Sequence, residues 1–366
     1  MPEHLNTKKQ NGFVKAFIPN KYDSKGAVIR KIIVIVCLIV FIGCSVYVIS
    51  DFTTRNEDEK IIDNIKNTVQ LNASGTFSAS KEKIETIKEE VPQILDKFVD
   101  IYAENSDVVG WLKLGHYIDY PVLMNKDDDD FYLYRNFKKE DSKSGSIFCD
   151  NHIQPISGAN NLVIYGHNMA SGEYFGQLTH YNPNTPKGAD KFIEYYKQYP
   201  TIQFDTLYEE GTYKIFAGIY INTEEKDGYP YPYYRKRKFN NEYEFMDFMG
   251  NIMDRSLFYT DVDVEYGDQI ITLSTCYWFP LGKTVDTRFA LFARKVREGE
   301  SAEVDVDKIT VNPSPLYFDE YYKRTGAVWE GRRWDLSLVK DFDKYTDKID
   351  SRDELEPAEV TAAATE

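Results

Sequence analysis

The sequence predicts a mainly β protein that carries one N-terminal transmembrane helix. Its 366 residues include 28 tyrosines and 22 phenylalanines, residue types that favour strands. Short runs rich in β-branched and aromatic residues, bounded by turn residues, recur between residues 145 and 296. Near the N-terminus, in contrast, the eighteen consecutive residues Ile32–Ile49 include no charged side chain. These observations separate a membrane segment from a β-rich domain.

The apolar segment is long enough to cross a bilayer as a helix, because eighteen residues at about 1.5 Å each span about 27 Å. Residues 1–31 carry seven basic and two acidic side chains, a net charge of +5, whereas acidic side chains follow from Asp51 onward. The positive-inside rule therefore predicts a cytoplasmic basic tail (residues 1–31), a single transmembrane helix (residues 32–50) and an extracytoplasmic remainder. A cleaved signal peptide and a buried core helix are the alternatives. The long leader, the lack of a convincing cleavage site and the charge asymmetry favour the membrane anchor.

The composition excludes several classes of protein. Lys and Arg number 44 against 59 Asp and Glu, and the resulting net charge of −15 would repel the phosphates of a nucleic acid. Hydrophobic residues make up 42%, enough for a core, and four cysteines are too few for a disulfide scaffold. Cys37 and Cys44 fall in the membrane segment. Cys149 and Cys276 lie outside it, where they could form one disulfide or stay free thiols.

The extracytoplasmic part divides into three regions. Residues 51–90 combine a juxtamembrane helix, with apolar residues in heptad-like spacing from Ile61 to Val69, and a small-residue spacer that we expect to be flexible. Residues 91–300 form the folded domain and begin with a predicted helix over Val91–Ala103. Residues 301–366 form a C-terminal extension, aromatic and charged, whose last ten residues are low in complexity and predicted to be disordered.

The folded domain contains a series of predicted strands interrupted by one helix. In that helix, apolar residues from Phe245 to Met253 recur at helical spacing after Asn241, a residue typical of an N-cap, and this stripe indicates core packing. The acidic run Asp127–Asp130 lacks the ligand spacing and the glycine of a calcium loop, which favours a solvated turn. The predicted strands are Gly145–Cys149, Asn161–Tyr165, Thr201–Phe204, Thr212–Ile221, Gln269–Thr275 and Phe289–Val296.

Cys276 is the first candidate for chemistry. It closes the apolar run Ile270–Thr275, and a cysteine at a strand end is held rigidly while a substrate can still reach it. A free thiol has a pKa of about 8.5, so only a few per cent is thiolate at neutral pH and a nearby charge is needed to activate it. The alternative role is that of a small core residue.

A histidine and an arginine occupy matching positions. His167 directly follows the apolar strand Asn161–Tyr165, as Cys276 follows its own. Arg288 comes twelve residues after Cys276, which suits a neighbouring antiparallel strand and would place a permanent cation beside the thiol. A satisfied polar histidine and a surface arginine are the alternatives. The histidines beyond the membrane segment are His116, His152, His167 and His180.

Three segments carry a resemblance to a known family. LVIYGHNM (162–169), ITLSTCYW (271–278) and RFALFARKV (288–296) resemble the signature strands of sortases, membrane-anchored cysteine transpeptidases of Gram-positive bacteria. TLSTC is similar to the TLxTC motif of the family, and YGHNM with the following helix-bearing insertion resembles class B. The resemblance runs in order from about residue 91 to residue 297.

The resemblance implies a closed eight-stranded β-barrel with an N-terminal helix and a helix inserted before the Cys-bearing strand, beside the substrate groove. It implies that Cys276 is the nucleophile, His167 the general acid and base, and Arg288 the oxyanion and substrate clamp. Ser274 and Thr275 would line the groove. The implied reaction cleaves a C-terminal sorting signal after Thr and passes the acyl group through a thioester to an amine of a cell-wall precursor, with no metal or other cofactor.

The chain departs from the simple family pattern in two places. One is the extension, residues 301–366; the other is Cys149, which follows a strand that the family does not use for catalysis and which we interpret as structural. Two other functions stay open: a sortase that joins pilin subunits through a Lys amine, and a non-catalytic surface binding protein. The complete set of Cys276, His167 and Arg288 argues against the second. The expected partners are a sorting-signal peptide, an amine nucleophile and the cell membrane, and not a nucleic acid.

Overall fold

The computed structural model describes residues 17–19, 21–151, 159–278 and 280–350. The chain forms two compact units, Met1–Lys60 and Ile61–Glu366. The first unit contains most of helix α1 (Lys25–Ala73), whose most apolar stretch is not buried at all. Within the described residues, α1 is the one helix long and apolar enough to cross a membrane, a property that a signal sequence shares. The basic residues of the tail up to Lys15 lie outside the described residues.

The second unit is built on a closed barrel, which confirms the predicted fold class. The strands of the described residues are β1 (Val108–Leu114), β2 (Ile118–Leu123), β3 (Ile147–Cys149), β4 (Asn161–Tyr165), β5 (Thr201–Thr206), β6 (Thr212–Asn222), β7 (Phe258–Tyr259), β8 (Ile270–Cys276), β9 (Thr287–Lys295) and β10 (Thr310–Val311). Around the barrel the order is β1-β2-β3-β4-β8-β9-β6-β5. The pairs β2–β3 and β4–β8 are parallel and the others are antiparallel, while β7 and β10 form a separate two-stranded sheet.

The barrel includes two strands that the sequence pattern does not reveal. These two strands are β1 and β2. The six strands that the sequence predicts are all present, with bounds that agree to within two residues. In β1, Gly110 interrupts the run of strand-favouring residues. A Cβ at this position would lie 2.4 Å from the carbonyl oxygen of Asp205 on β5, so only glycine allows β1 and β5 to approach this closely. In β2, Pro121 argues against a strand, yet it pairs with Trp111.

The interior and exterior faces of the barrel carry different hydrophobic clusters. All eight barrel strands contribute to the interior cluster, for example through Leu273 on β8 and Ile164 on β4. Because side chains alternate along a strand, neighbours such as Val163 face outward, and there they pack against a second cluster. Helix α5 (Glu242–Arg255) supplies much of this exterior cluster, and it lies between β6 and β8 in sequence, before the Cys-bearing strand.

The region before the barrel differs from the sequence prediction. Helices α2 (Lys81–Glu90) and α3 (Val99–Glu104) are present, but Val91–Leu95 is not helical, because Gln93 has a left-handed φ of 69°. The spacer that the sequence predicts to be flexible is held to the folded domain near the C-terminal end of the spacer. The backbone N–H groups of Ser78 and Ala79 donate to the carboxylate of Asp100 on α3. A further helix, α4 (Ala189–Gln198), precedes β5 and was not predicted.

The C-terminal extension packs on the barrel domain as far as residue 350. It contains helices α6 (Asp319–Thr325) and α7 (Thr346–Asp350) and the strand β10, which pairs with β7. Trp334 and Phe342 join the exterior cluster against α5, and Arg332 makes a bidentate ion pair with Asp254 at the end of α5, with N–O distances of 2.8 and 2.9 Å. The low-complexity tail lies outside the described residues.

Candidate active site

Cys276 lies at the end of strand β8, on the exterior face of the barrel. The six residues before it in β8 are buried, whereas Cys276 is partly exposed. Its carbonyl oxygen accepts a hydrogen bond from Asn168 Nδ2 at 2.8 Å, which ties the strand end to the loop after β4. Cys149, in contrast, is only 1% exposed in β3, and burial raises the pKa of its thiol. Both thiols are free, so no disulfide joins them.

Arg288 is the direct cross-strand neighbour of Cys276. The antiparallel register pairs the two residues at the end of β8 and the start of β9. Side chains of directly opposed residues lie on the same face with Cβ atoms about 4.5–5.5 Å apart. Burial raises the pKa of the Cys276 thiol, while the positive charge of Arg288 acts in the opposite direction and favours the thiolate. The twelve-residue spacing therefore does bring the cation beside the thiol.

His167 reaches the same place from the other neighbouring strand. Strand β4 runs parallel to β8 with Tyr165 paired to Ser274, and a 2.7 Å bond from Thr275 Oγ1 to the carbonyl oxygen of Gly166 continues the pairing. His167 and Cys276 each lie two residues beyond the Tyr165–Ser274 pair. Since side chains alternate with a period of two, both residues are on the exterior face. The strand ends that carry His167 and Arg288 thus lie on opposite sides of the strand end that carries Cys276.

The ring of His167 is oriented by the loop after β2. Its Nε2 lies 2.8 Å from the carbonyl oxygen of Leu133, and the ring of Tyr134 is 5.8 Å from the imidazole ring. A carbonyl oxygen can only accept, so Nε2 carries a hydrogen. In the neutral ring Nδ1 is then the nitrogen that can take up a proton.

The guanidinium of Arg288 is also held by a neighbour. Its Nη1 donates to Asp286 Oδ1 at 2.6 Å, and Asp286 Oδ2 in turn accepts from Thr223 Oγ1 at 2.8 Å. Burial is the largest single effect and opposes the charge on Arg288, but the hydrogen bond to Asp286 and the nearby negative charges together outweigh it and raise the pKa of the guanidinium. Burial likewise opposes ionisation of Asp286, and the bonds from Arg288 and Thr223 lower the pKa of its carboxyl. Both groups are therefore charged at neutral pH.

Comparison with known proteins shows which family the chain belongs to. The model of the Sortase domain family matches residues 117–296. Sortase B of Listeria monocytogenes is 34% identical over 185 residues, which cover 50% of this chain and 68% of the relative. The chain belongs to the sortase family, in class B. Sortase B of Staphylococcus aureus is 29% identical over 181 residues, covering 49% of this chain and 67% of the relative.

The barrel of this sortase is also similar to solved structures. A crystal structure of sortase B from Bacillus anthracis superposes with a TM-score of 0.51 and 27% identity, over 67% of this chain and 99% of the other. A second structure from the same organism, at 1.6 Å, gives a TM-score of 0.51 and 28% identity over 66% of this chain and 96% of the other. Sortases are transpeptidases, and this assignment holds for the chain at the level of the family.

Two hydroxyls that the sequence assigns to the sortase groove make internal bonds. Ser274 and Thr275 are 3% and 2% exposed. Ser274 Oγ lies 2.6 Å from the hydroxyl of Tyr233, and Thr275 Oγ1 donates to Gly166 as described above. Both hydroxyls hold neighbouring segments to β8, and their contact with a substrate stays a prediction.

Three contributors to the site were missed by sequence reasoning. Tyr233 reaches Ser274 from the loop between β6 and α5, and burial raises the pKa of its hydroxyl to about 12. The other two are Asp286 and the carbonyl group of Leu133. A tyrosine- and proline-rich run at residues 229–234 was the available signal for Tyr233. A main-chain carbonyl leaves no signal in the sequence.

Proposed function

We propose that this sortase is a cysteine transpeptidase that cleaves a C-terminal sorting signal of exported proteins after Thr and transfers the acyl group to an amine of a cell-wall precursor. The observation that carries the proposal is the convergence of Cys276, His167 and Arg288 at neighbouring strand ends, on one face of the barrel. A nucleophile, a proton carrier and a permanent cation are the groups that two-step acyl transfer needs.

In the proposed first step, His167 takes the proton of the Cys276 thiol, and the sulfur attacks the carbonyl carbon of the threonine. The new S–C bond forms as the C–N bond to the next residue breaks, and His167 gives a proton to the departing amine. In the second step the acceptor amine attacks the thioester. A C–N bond forms, the S–C bond breaks, and His167 takes the proton that the amine loses.

Arg288 is suited to the negative charge that develops on the carbonyl oxygen in both steps. Its guanidinium is pre-positioned by Asp286, so little reorganisation is needed when the oxyanion forms. The same charge acts to lower the pKa of the Cys276 thiol, against the larger effect of burial, which raises it. We therefore assign Arg288 two effects, on the resting nucleophile and on the tetrahedral intermediate.

The proposed location follows from helix α1 and the flanking charges. The helix is apolar enough to span a membrane, and the net charge of residues 1–31 is +5. We propose a single-pass membrane protein with a cytoplasmic N-terminus and an extracytoplasmic catalytic domain. Protease treatment of intact cells followed by detection of an N-terminal tag tests this orientation, because a cytoplasmic tag survives and an exposed one is lost.

The function is tested with the full-length chain in detergent micelles. A panel of peptides that share a Thr at the cleavage position and vary on either side is incubated with a glycine peptide or a lysine peptide as the amine. We expect new peptide products joined at the Thr carbonyl, and none with His167→Ala. Transfer to the lysine side chain in preference to the glycine amine would identify the pilin-joining reaction instead. Hydrolysis and transfer both missing across the whole panel would contradict the proposal.

A further inference from the structure

The C-terminal extension contacts the connection between Cys276 and Arg288. In α6, Arg324 Nη1 donates to the hydroxyl oxygen of Thr284 at 2.7 Å and to the carbonyl oxygen of Leu281 at 3.4 Å. Both acceptors lie in residues 280–286, which lead from β8 into β9. The extension therefore reaches the segment that joins two of the proposed catalytic residues.

The contact is transmitted to Arg288 over a short stretch of backbone. Thr284 precedes Val285, which is fully buried at 0% exposure, and Asp286 follows directly. Asp286 holds the guanidinium of Arg288 at 2.6 Å, and its carbonyl oxygen accepts from the backbone N–H of Thr223 at 3.0 Å. Thr284 and Asp286 stand on either side of the buried Val285, so we expect a displacement of the backbone at Thr284 to move Asp286 as well.

The extension also supports Tyr277, the residue that follows Cys276, through a series of aromatic contacts. Phe318 and Tyr321 contact the ring of Tyr220 on β6, with centroid distances of 5.7 and 6.3 Å. Tyr220 contacts Tyr277 in turn at 6.0 Å, and the N–H of Tyr277 donates to the carbonyl oxygen of Thr287 at 3.1 Å. The aromatic contacts thus support Tyr277, at the start of the connection from β8 to β9, and Arg324 supports Leu281 and Thr284, further along it.

We infer that Arg324 is a positioning residue of this sortase, which holds residues 280–286 so that Asp286 keeps Arg288 beside Cys276. The inference rests on the proposed roles of Cys276 and Arg288. It gives the extension, through α6, a part in the catalytic site, although the last strand of the barrel ends at Lys295.

A neighbouring residue on α6 provides a matched control. Lys323 and Arg324 both pair with Glu320, at 3.1 and 2.6 Å. Within the described chain, Arg324 also reaches residues 280–286, whereas the side chain of Lys323 is 77% exposed and is bonded to Glu320. Exposed ion pairs contribute little to stability, so neither substitution is expected to unfold the protein. A loss confined to Arg324 therefore reports position and not folding.

The test uses the full-length chain in detergent micelles and measures the rate at which iodoacetamide alkylates Cys276, resolved by peptide mass, between pH 5 and pH 10. The variants are Arg324→Gln, Thr284→Val, the double variant, Arg324→Lys and the control Lys323→Gln. This reaction needs no substrate, so it tests the inference even if no sorting peptide is cleaved. A second readout is kcat and KM with any peptide found to react.

We expect Arg324→Gln and Thr284→Val each to slow alkylation at pH 7 about fivefold, the change that a shift of the cation by about 1–2 Å gives at an effective dielectric constant of about 20. The double variant should be no slower than either single one, because both break the same contact. Arg324→Lys should recover part of the rate, and kcat should fall more than KM rises. Wild-type rates in Arg324→Gln and Thr284→Val, or an equal loss in Lys323→Gln, would overturn the inference.

Discussion

Gly145 offers a sensitive test of how His167 is oriented. Gly145 has a φ of 58°, and a Cβ added there would lie 2.4 Å from the carbonyl oxygen of Leu133, the group that binds His167 Nε2. A contact this short cannot persist in Gly145→Ala, so the carbonyl must move by about 0.8 Å to reach van der Waals distance. If the carbonyl moves away from the ring, the bond to His167, now 2.8 Å, lengthens to about 3.6 Å, which is beyond the range of a hydrogen bond.

The expected magnitude has two parts. The left-handed backbone costs an alanine about 1–2 kcal/mol, and weakening the partly buried hydrogen bond between Leu133 and His167 adds about 1–3 kcal/mol. We expect Gly145→Ala to lower the free energy of unfolding by about 2–5 kcal/mol, the sum of the two parts. General acid–base catalysis contributes about 10²–10⁴-fold, so partial loss of the imidazole orientation should lower kcat/KM by about tenfold or more.

The control variant Gly299→Ala separates the cost of backbone strain from the effect of displacing Leu133. Gly299 also has a positive φ, 76°, but its Cβ position has nothing within 4 Å. This control should therefore lose about 1–2 kcal/mol from backbone strain and keep its activity. Denaturant unfolding and peptide transfer would be measured for both variants in detergent micelles. Equal stability losses, together with full activity in Gly145→Ala, would refute the reasoning about Leu133 and His167.

Three further predictions follow from the charges and packing. Arg288→Gln removes the charge that favours the thiolate, so alkylation of Cys276 should require higher pH than in the wild type; an unchanged pH profile would contradict this. Phe342→Ala, at a fully buried position against Trp334, should cost about 3–5 kcal/mol in denaturant unfolding, whereas Val328→Ala at 78% exposure should cost less than about 0.5 kcal/mol. Hydrogen bonds from Arg294 and Lys214 lower the pKa of Glu300, so its contribution is present above the unfolded pKa of about 4.3 and is lost as pH falls further. Glu300→Gln should therefore be less stable at pH 7 and should lose less stability than the wild type between about pH 5 and pH 2.

The sequence predicted the strand ends of the site because they combine two local signals. An apolar run that stops at Cys276 or His167 marks both a buried strand and the point where it leaves the core. Cys276 and Arg288 are twelve residues apart, a spacing that suits a single loop between two strands. This spacing predicts that the two strands are antiparallel neighbours, as β8 and β9 are. These features need no knowledge of distant contacts.

The remaining parts of the site depend on contacts between distant segments. Strands β4 and β8 pair in parallel from Asn161 and Ile270, and no local pattern sets that register. The bond from Tyr233 to Ser274 and the bond from His167 to Leu133 join a loop to a strand end. Strands β1 and β2 were missed because Gly110 and Pro121, which weaken strands in isolation, are accommodated by close backbone approach and pairing.

The most direct test of the central claim is the intact mass of the protein after reaction with sorting-signal peptides in the absence of an acceptor amine. The account predicts a covalent adduct whose mass equals the acyl part of the peptide up to Thr. The adduct should form in the wild type and in Cys149→Ala, and it should be missing in Cys276→Ala. An adduct that persists in Cys276→Ala and disappears in Cys149→Ala would contradict the assignment of the nucleophile.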